Sequence, residues 1–181
     1  MSVQLYLYPG AEKAGGEERM RRCASLFGQG LGIEGGVFSR IERTERGKPF
    51  FPDAPGIFCS VSHTAGCWAC AVSDAPVGLD VEKNRQCDFA AIARRFFHAK
   101  EAEYAAKSPE AFFAVWTAKE SYVKLLGQGI DDGFARFSVV QKGSIAETLG
   151  DVQLCPIFLE PGYAMCICGE NLGEIQKVWM R

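Results

Sequence analysis

Between Pro109 and Leu126 the apolar positions recur at helical spacing, with Phe112, Val115, Trp116, Tyr122, Val123 and Leu126 on one stripe. Ser108 ahead of Pro109 predicts the N-cap, and Gly127 the C-terminal cap. The same period predicts helices over 17–27, where Met20, Cys23, Ala24 and Phe27 share a side, and over 88–97 and 99–106, with Asp88 capping the former. Alternation of period two predicts strands over 3–8, 37–43, 57–62, 67–73, 77–82, 134–141, 152–159 and 163–168, with a last one at 175–179. Between them, Gly28 to Gly36 and Gly127 to Gly133 read as loops, and Ser62 to Gly66 as a tight polar connection. Pro49 and Pro52 argue against regular structure in their segment. No internal repeat is visible, although both halves of the chain run from a helix into strands. The pattern as a whole predicts an α+β protein.

Composition narrows the function more than the fold. The 181 residues suffice for one large domain or two small halves sharing a core. A net charge of −2 lacks the basic surplus of a general nucleic-acid binder, so none is expected as a partner. The first residues carry no basic region followed by an apolar run, and no stretch of about 18 apolar residues follows, so a cytoplasmic protein without a membrane contact is expected. Of the eight cysteines, Cys67 and Cys70 have the spacing of a zinc or redox pair. They fall in a strand, where residues three apart point to opposite faces, so small buried side chains are the expected role.

Acidic and basic residues then mark one place. Asp80 and Glu82, two apart on the 77–82 strand, face the same way, while Leu79 and Val81 face the other. Like charges on one face repel, so the pair is either solvated at a strand end or neutralising something positive. Glu120 and Lys124 share a face of the 109–126 helix, where alone they would read as a solvated ion pair. Taken together, Asp80, Glu82 and Glu120 offer three oxygen donors suited to a hard divalent cation such as Mg2+, with Mn2+ equally suited. Arg19, Arg21 and Arg22 read as a solvated helix face, and His63 as a loop histidine.

Four motifs in this order, Gly47-Lys48-Pro49, Ser62-His63-Thr64, Val77-Gly-Leu-Asp-Val-Glu82 and Trp116-Thr-Ala-Lys-Glu-Ser-Tyr-Val-Lys124, resemble the surfactin-type 4'-phosphopantetheinyl transferases. The resemblance extends from about Phe38 to Gly169 and includes Phe137-Ser-Val139 and Pro161-Gly-Tyr-Ala-Met165. It implies a pseudo-twofold pair of similar α/β halves with mostly antiparallel sheets and packed helices, divided here as 1–75 and 76–181, the latter carrying the metal site, and a monomer. It implies transfer of the phosphopantetheine arm of coenzyme A to a serine hydroxyl of an apo carrier protein, releasing adenosine 3',5'-bisphosphate. Asp80, Glu82 and Glu120 would hold Mg2+. Glu120 is also the candidate general base, and the sequence leaves both roles open. Lys124 would meet a phosphate, and Ser62, His63, Lys48, Pro49, Lys119 and Arg43 would contact coenzyme A, with Arg19 and Arg22 further candidates for its 3'-phosphate. Trp116 is expected as a core anchor beneath the site. Phe96, Phe97 and His98, after Arg94 and Arg95, are expected near the acidic carrier. Two other readings compete: a coenzyme A or carrier-binding domain without catalysis, and a thiol protein using Cys67 and Cys70.

Overall fold

The structure, a computed structural model, describes residues 1–128 and 132–181. Its elements run β1 (Val3–Pro9), α1 (Gly16–Gly30), β2 (Glu42–Arg43), β3 (Pro49–Phe50), β4 (Phe58–Thr64), β5 (Cys67–Ser73), β6 (Val77–Lys83), α2 (Phe89–Phe96), α3 (Ala99–Ala105), α4 (Pro109–Leu126), β7 (Val140–Gln141), β8 (Ser144–Ile145), β9 (Thr148–Leu149), β10 (Val152–Pro156), β11 (Tyr163–Glu170) and β12 (Ile175–Trp179). The mixed α+β class matches the expectation.

Two four-stranded sheets carry the fold, in the orders β12-β1-β5-β4 and β6-β11-β10-β9. Within each, three strands repeat one scheme, all antiparallel: β1 pairs with β5 and β5 with β4, and β6 pairs with β11 and β11 with β10. The final strand, β12, returns to lie parallel to β1 in the first sheet. The outer face of the first sheet packs Tyr6, Cys70 and Val72 against Met20, Cys23 and Phe27 of α1. Its inner face packs Leu5, Leu7 and Ala69 against Leu79, Val81 and Ile167 of the second sheet. The other face of the second sheet packs Leu154, Cys166 and Cys168 against Phe112, Val115 and Ala118 of α4. The layers are therefore α1, sheet, sheet, α4, each held by apolar burial.

The longest helix forms where its end signals place it. Ser108 Oγ accepts from Ala111 N–H at the N-terminus, Pro109 follows at the first turn, and Gly127 closes the other end in the left-handed region at φ 67°. Two strand expectations and one expected connection are corrected. Gly35–Phe38 is a 3-10 turn, and only Glu42–Arg43 of the 37–43 run pairs, with Pro49–Phe50. Pro49 is tolerated because that ribbon has two residues a side and an open edge. Asp132–Ala135 likewise forms a 3-10 turn, leaving a short β7 where a strand over 134–141 was expected. Ser62, His63 and Thr64 lie inside β4, so the expected connection shrinks to the turn at Ala65-Gly66. Part of the expected 127–133 loop, residues 129–131, lies outside the described residues.

Gly78 fixes how closely α4 approaches β6. A Cβ built there would sit 1.9 Å from the Ser121 carbonyl oxygen and 2.8 Å from Leu125 N. Both are helix backbone, so neither can step aside. Gly78→Ala is expected to lower the thermal midpoint of the folded protein by at least the equivalent of about 3 kcal/mol, or to prevent folding. A melting curve close to wild type would disprove this packing.

Candidate active site

Strand β6 places Asp80 and Glu82 on the face toward α4, and α4 answers with Glu120 and Lys124, one turn apart. Asp80 is 4% exposed and Glu120 7% exposed. Lys124 Nζ lies 2.7 Å from Asp80 Oδ1, 3.1 Å from Ser62 Oγ and 3.4 Å from the Val61 carbonyl oxygen. Ser62 Oγ donates to the same Asp80 Oδ1 at 2.7 Å. The other oxygen, Oδ2, is buried and has no hydrogen-bond partner. Glu82 Oε2 takes Arg85 Nη1 at 3.0 Å and Thr64 Oγ1 at 3.4 Å.

Crowding and burial shift the ionisation of the two glutamates. Burial, and then the negative charge of Asp80, push Glu120 up to about 7, against the pull of Lys124. Burial and Asp80 raise Glu82 as well, while Arg85 draws it back. A carboxyl group that ionises near neutrality inside a cleft can exchange a proton with a ligand.

Around this cluster two small cavities share Arg43 and Val61. One, about 290 Å³, is lined by Arg43, Arg46, Lys48, Pro49, Ser60 and Lys124 among others. The second, about 260 Å³, includes Lys13, Arg43, Ser62, His63 and Trp68. The structure thus brings together Lys48, Pro49, Ser62, His63, Arg43 and Lys124 from the expected contacts. Lys48 Nζ donates to the Leu125 carbonyl oxygen at 2.8 Å, and burial lowers its pKa. Arg43 pairs with Glu17 at 3.2 Å. Arg19 lies over the Tyr8 and Trp68 rings, and Arg22 is exposed on α1.

Lys119 does not join them. It is fully buried on the opposite side of α4, 2.8 Å from Glu101 Oε2 and 2.6 Å from the Phe137 carbonyl oxygen, against the Phe137 ring. Glu101 in turn accepts from the backbone N–H groups of His98 and Val139. Trp116 stands in a ring cluster with Phe97, Phe112 and Phe134, at centroid distances of 5.6 to 6.2 Å. Phe97 is in that core, His98 caps α3, and Phe96 is exposed beneath the Arg95 guanidinium. All eight cysteines are free. Cys67 and Cys70 fall in different cores, and burial raises both thiols, Cys67 to about 11, which leaves them protonated and unreactive at neutral pH.

Sequence reasoning missed Thr64 and Arg85 at the site, and Ser60 and Glu101 as structural partners outside it. Ser60 and Thr64 had a readable signal, hydroxyls alternating with Ser62 at period two. Arg85 and Glu101 had none, since charged residues near a strand end or in an amphipathic helix are usually solvated.

The donor set fits a divalent cation in one respect. Asp80 Oδ2 is an orphaned carboxylate oxygen, costly to bury without a positive partner. Among the described residues no group of three or more acidic, histidine or cysteine side chains is gathered as a ligand cage.

The sequence profile of the 4'-phosphopantetheinyl transferase superfamily matches residues 76–168. The chain is 34% identical over 149 residues to the 4'-phosphopantetheinyl transferase psf-1 of Bacillus pumilus, covering 76% of this chain and 64% of that protein. It is 33% identical over 144 residues to the transferase Sfp of Bacillus subtilis, covering 73% and 63%. With HetI of Nostoc, also a 4'-phosphopantetheinyl transferase by name, identity is 34% over 116 residues, covering 59% and 48%. The chain spans a little under two thirds of the length of the two Bacillus proteins.

The raised Glu120 pKa carries a stability consequence. The ordinary carboxyl value is 4.5 and the folded value about 7, so folding favours the protonated form. Stability is then full below about 4.5 and falls as pH rises through 7, by at most about 3 kcal/mol. Glu120→Gln is expected to raise the thermal midpoint at pH 8 in a chelator and to flatten its decline between pH 5 and 8; an unchanged pH profile would contradict the shift. Breaking the other pair behaves differently. Lys119→Met leaves the Glu101 charge buried without its ammonium and is expected to cost about 3–5 kcal/mol, only part of it restored by adding Glu101→Leu, which orphans the His98 and Val139 N–H groups. Denaturant melts of the single and double variants check this.

Proposed function

The chain belongs to the 4'-phosphopantetheinyl transferase superfamily, and we propose that it transfers 4'-phosphopantetheine from coenzyme A to a serine of an apo carrier protein. The observation that carries the reading is the buried Asp80–Lys124–Ser62 cluster beside Glu120, opening onto cavities lined by Arg43, Lys48 and His63. A pyrophosphate needs this combination of fixed positive charge and a proton acceptor within a water-poor cleft.

In this reading the serine oxygen attacks the phosphorus next to the pantetheine arm. A new oxygen–phosphorus bond forms as the bridging bond to the adenosine bisphosphate breaks, and the bond pair leaves with adenosine 3',5'-bisphosphate. Glu120, held near neutrality by burial, accepts the serine proton. Lys124, as a point charge already seated at the carboxylates, meets the phosphates. Asp80 and Glu82, with Glu120 when ionised, would be the oxygen donors for a divalent cation, Mg2+ or Mn2+, which would supply charge neutralisation at the pyrophosphate. Arg43, Lys48, Pro49, Ser62 and His63 border the space for the nucleotide portion.

Carrier recognition is assigned to α2. Arg94 and Arg95 end that helix, and Phe96 is exposed beside them, which offers an acidic partner both charge and an apolar anchor. Phe97 and His98, expected there too, serve the core and the α3 cap instead. We take the chain to act as a cytoplasmic monomer of two halves, 1–75 and 76–181, with β12 lent back to the first sheet. Among the described residues no helix is long and apolar enough to cross a membrane.

Incubating an apo carrier protein with this protein, coenzyme A and Mg2+ is expected to add one phosphopantetheine to the carrier in intact-mass spectra, and a chelator to prevent it. Glu120→Gln is expected to slow transfer by about 10²-fold or more while the fold survives, and Asp80→Ala to abolish it. Full transfer by either variant removes that residue from the site. No gain across acyl, peptidyl and aryl carriers, with coenzyme A still bound, would replace the enzyme by a binding domain.

A further inference from the structure

Strands β4 and β6 are edges of different sheets, so no backbone ladder joins them. Hydroxyl groups do so instead, in a constant register. Ser60 Oγ accepts Leu79 N–H and Thr64 Oγ1 accepts Lys83 N–H, both 19 residues on. Ser62 Oγ donates to Asp80, and Thr64 Oγ1 to Glu82, both 18 residues on. Three hydroxyls at period two therefore run along one strand and face its neighbour.

Their partners differ, and the difference separates two tasks. Ser60 meets backbone alone. Ser62 has one proton and spends it on Asp80 Oδ1 at 2.7 Å, while its oxygen accepts Lys124 at 3.1 Å. It has no second proton for a ligand phosphate while that arrangement holds. Two donors on Oδ1 fix the rotation of the Asp80 carboxylate and leave Oδ2 buried and unpartnered. Thr64 and Arg85 likewise both donate to a single oxygen of Glu82, Oε2.

We propose that Ser62 and Thr64 are positioning residues, whose hydroxyls on β4 orient the Asp80 and Glu82 carboxylates of β6 toward a divalent cation. The proposal rests on the cation role given to those carboxylates above. It assigns Ser62 to the carboxylate rather than to coenzyme A, and brings Thr64 into the site. Partners of this kind characteristically change metal affinity without touching the metal.

The test is Mn2+ binding to the full chain without coenzyme A, followed by electron paramagnetic resonance, with thermal melts alongside. Ser62→Ala is expected to weaken Mn2+ about tenfold and Thr64→Val several-fold, while Thr64→Ser stays near wild type. Ser60→Ala, from the same strand and face, is the control: it lowers the thermal midpoint and leaves Mn2+ affinity unchanged. Ser62→Ala binding as tightly as wild type, Ser60→Ala weakening Mn2+ as much as Ser62→Ala, or a wild type that takes no Mn2+ at millimolar concentration would each overturn the proposal. The carrier mass gain judges the transferase reading separately. Transfer that persists with Mn2+ affinity indifferent to Ser62 sinks only the positioning role. Absent transfer with the expected Mn2+ series sinks only the transferase.

Discussion

Two sheet edges can lie side by side inside a protein only if their unpaired backbone groups find partners. Here β4 and β6 meet that condition with side chains, and most of the molecule follows from it. Because Ser60 and Thr64 satisfy β6 amides, the edge of the second sheet can rest on the first without joining it. Leu79 and Val81 can then turn into the core shared by the sheets while Asp80 and Glu82 face α4. A continuous ladder would have merged the sheets and removed the cleft in which the charged groups stand.

The seam places unlike demands on α4. Gly78 lets the helix backbone approach until side chains four apart, Glu120 and Lys124, reach the carboxylates. Three carboxylates with only Lys124 and Arg85 in contact repel in water-poor surroundings, and the raised pKa of Glu120 relieves part of that repulsion through a proton. Asp80, Glu82 and Glu120 still outnumber the two cations that touch them, Lys124 and Arg85. That shortage favours cations, and it gives a phosphorylated ligand reason to arrive with one.

The same helix carries a second ammonium, fully buried and with the opposite fate. Lys119, adjacent to Glu120 in sequence, is fully satisfied by Glu101, the Phe137 carbonyl and an aromatic ring. Nothing about it invites a ligand. Lys124 shares its strongest contact with an aspartate whose second oxygen is unmet. Two lysines of one motif thus separate into a structural cation, anchoring α3 and residues 137–139 to α4, and a cation poised at the site.

Local signals in the sequence determined a good deal. Ser108, Pro109 and Gly127 bounded α4 because caps act through their immediate neighbours. The alternation of Asp80 and Glu82 with Leu79 and Val81 sorted the faces of β6, since strand geometry alone does that. The motif spacing named the family. Where pattern was short the sequence misled: 37–43 and 134–141 alternate, yet only their ends found a strand to pair with. Tertiary structure decided what depends on partners remote in the chain. It sent Lys119 away from the site, because one residue along a helix turns a side chain by about 100°. It drew Ser62 onto Asp80 and made Thr64 part of the same row, because a hydroxyl takes its role from whichever edge the folded chain lays beside it.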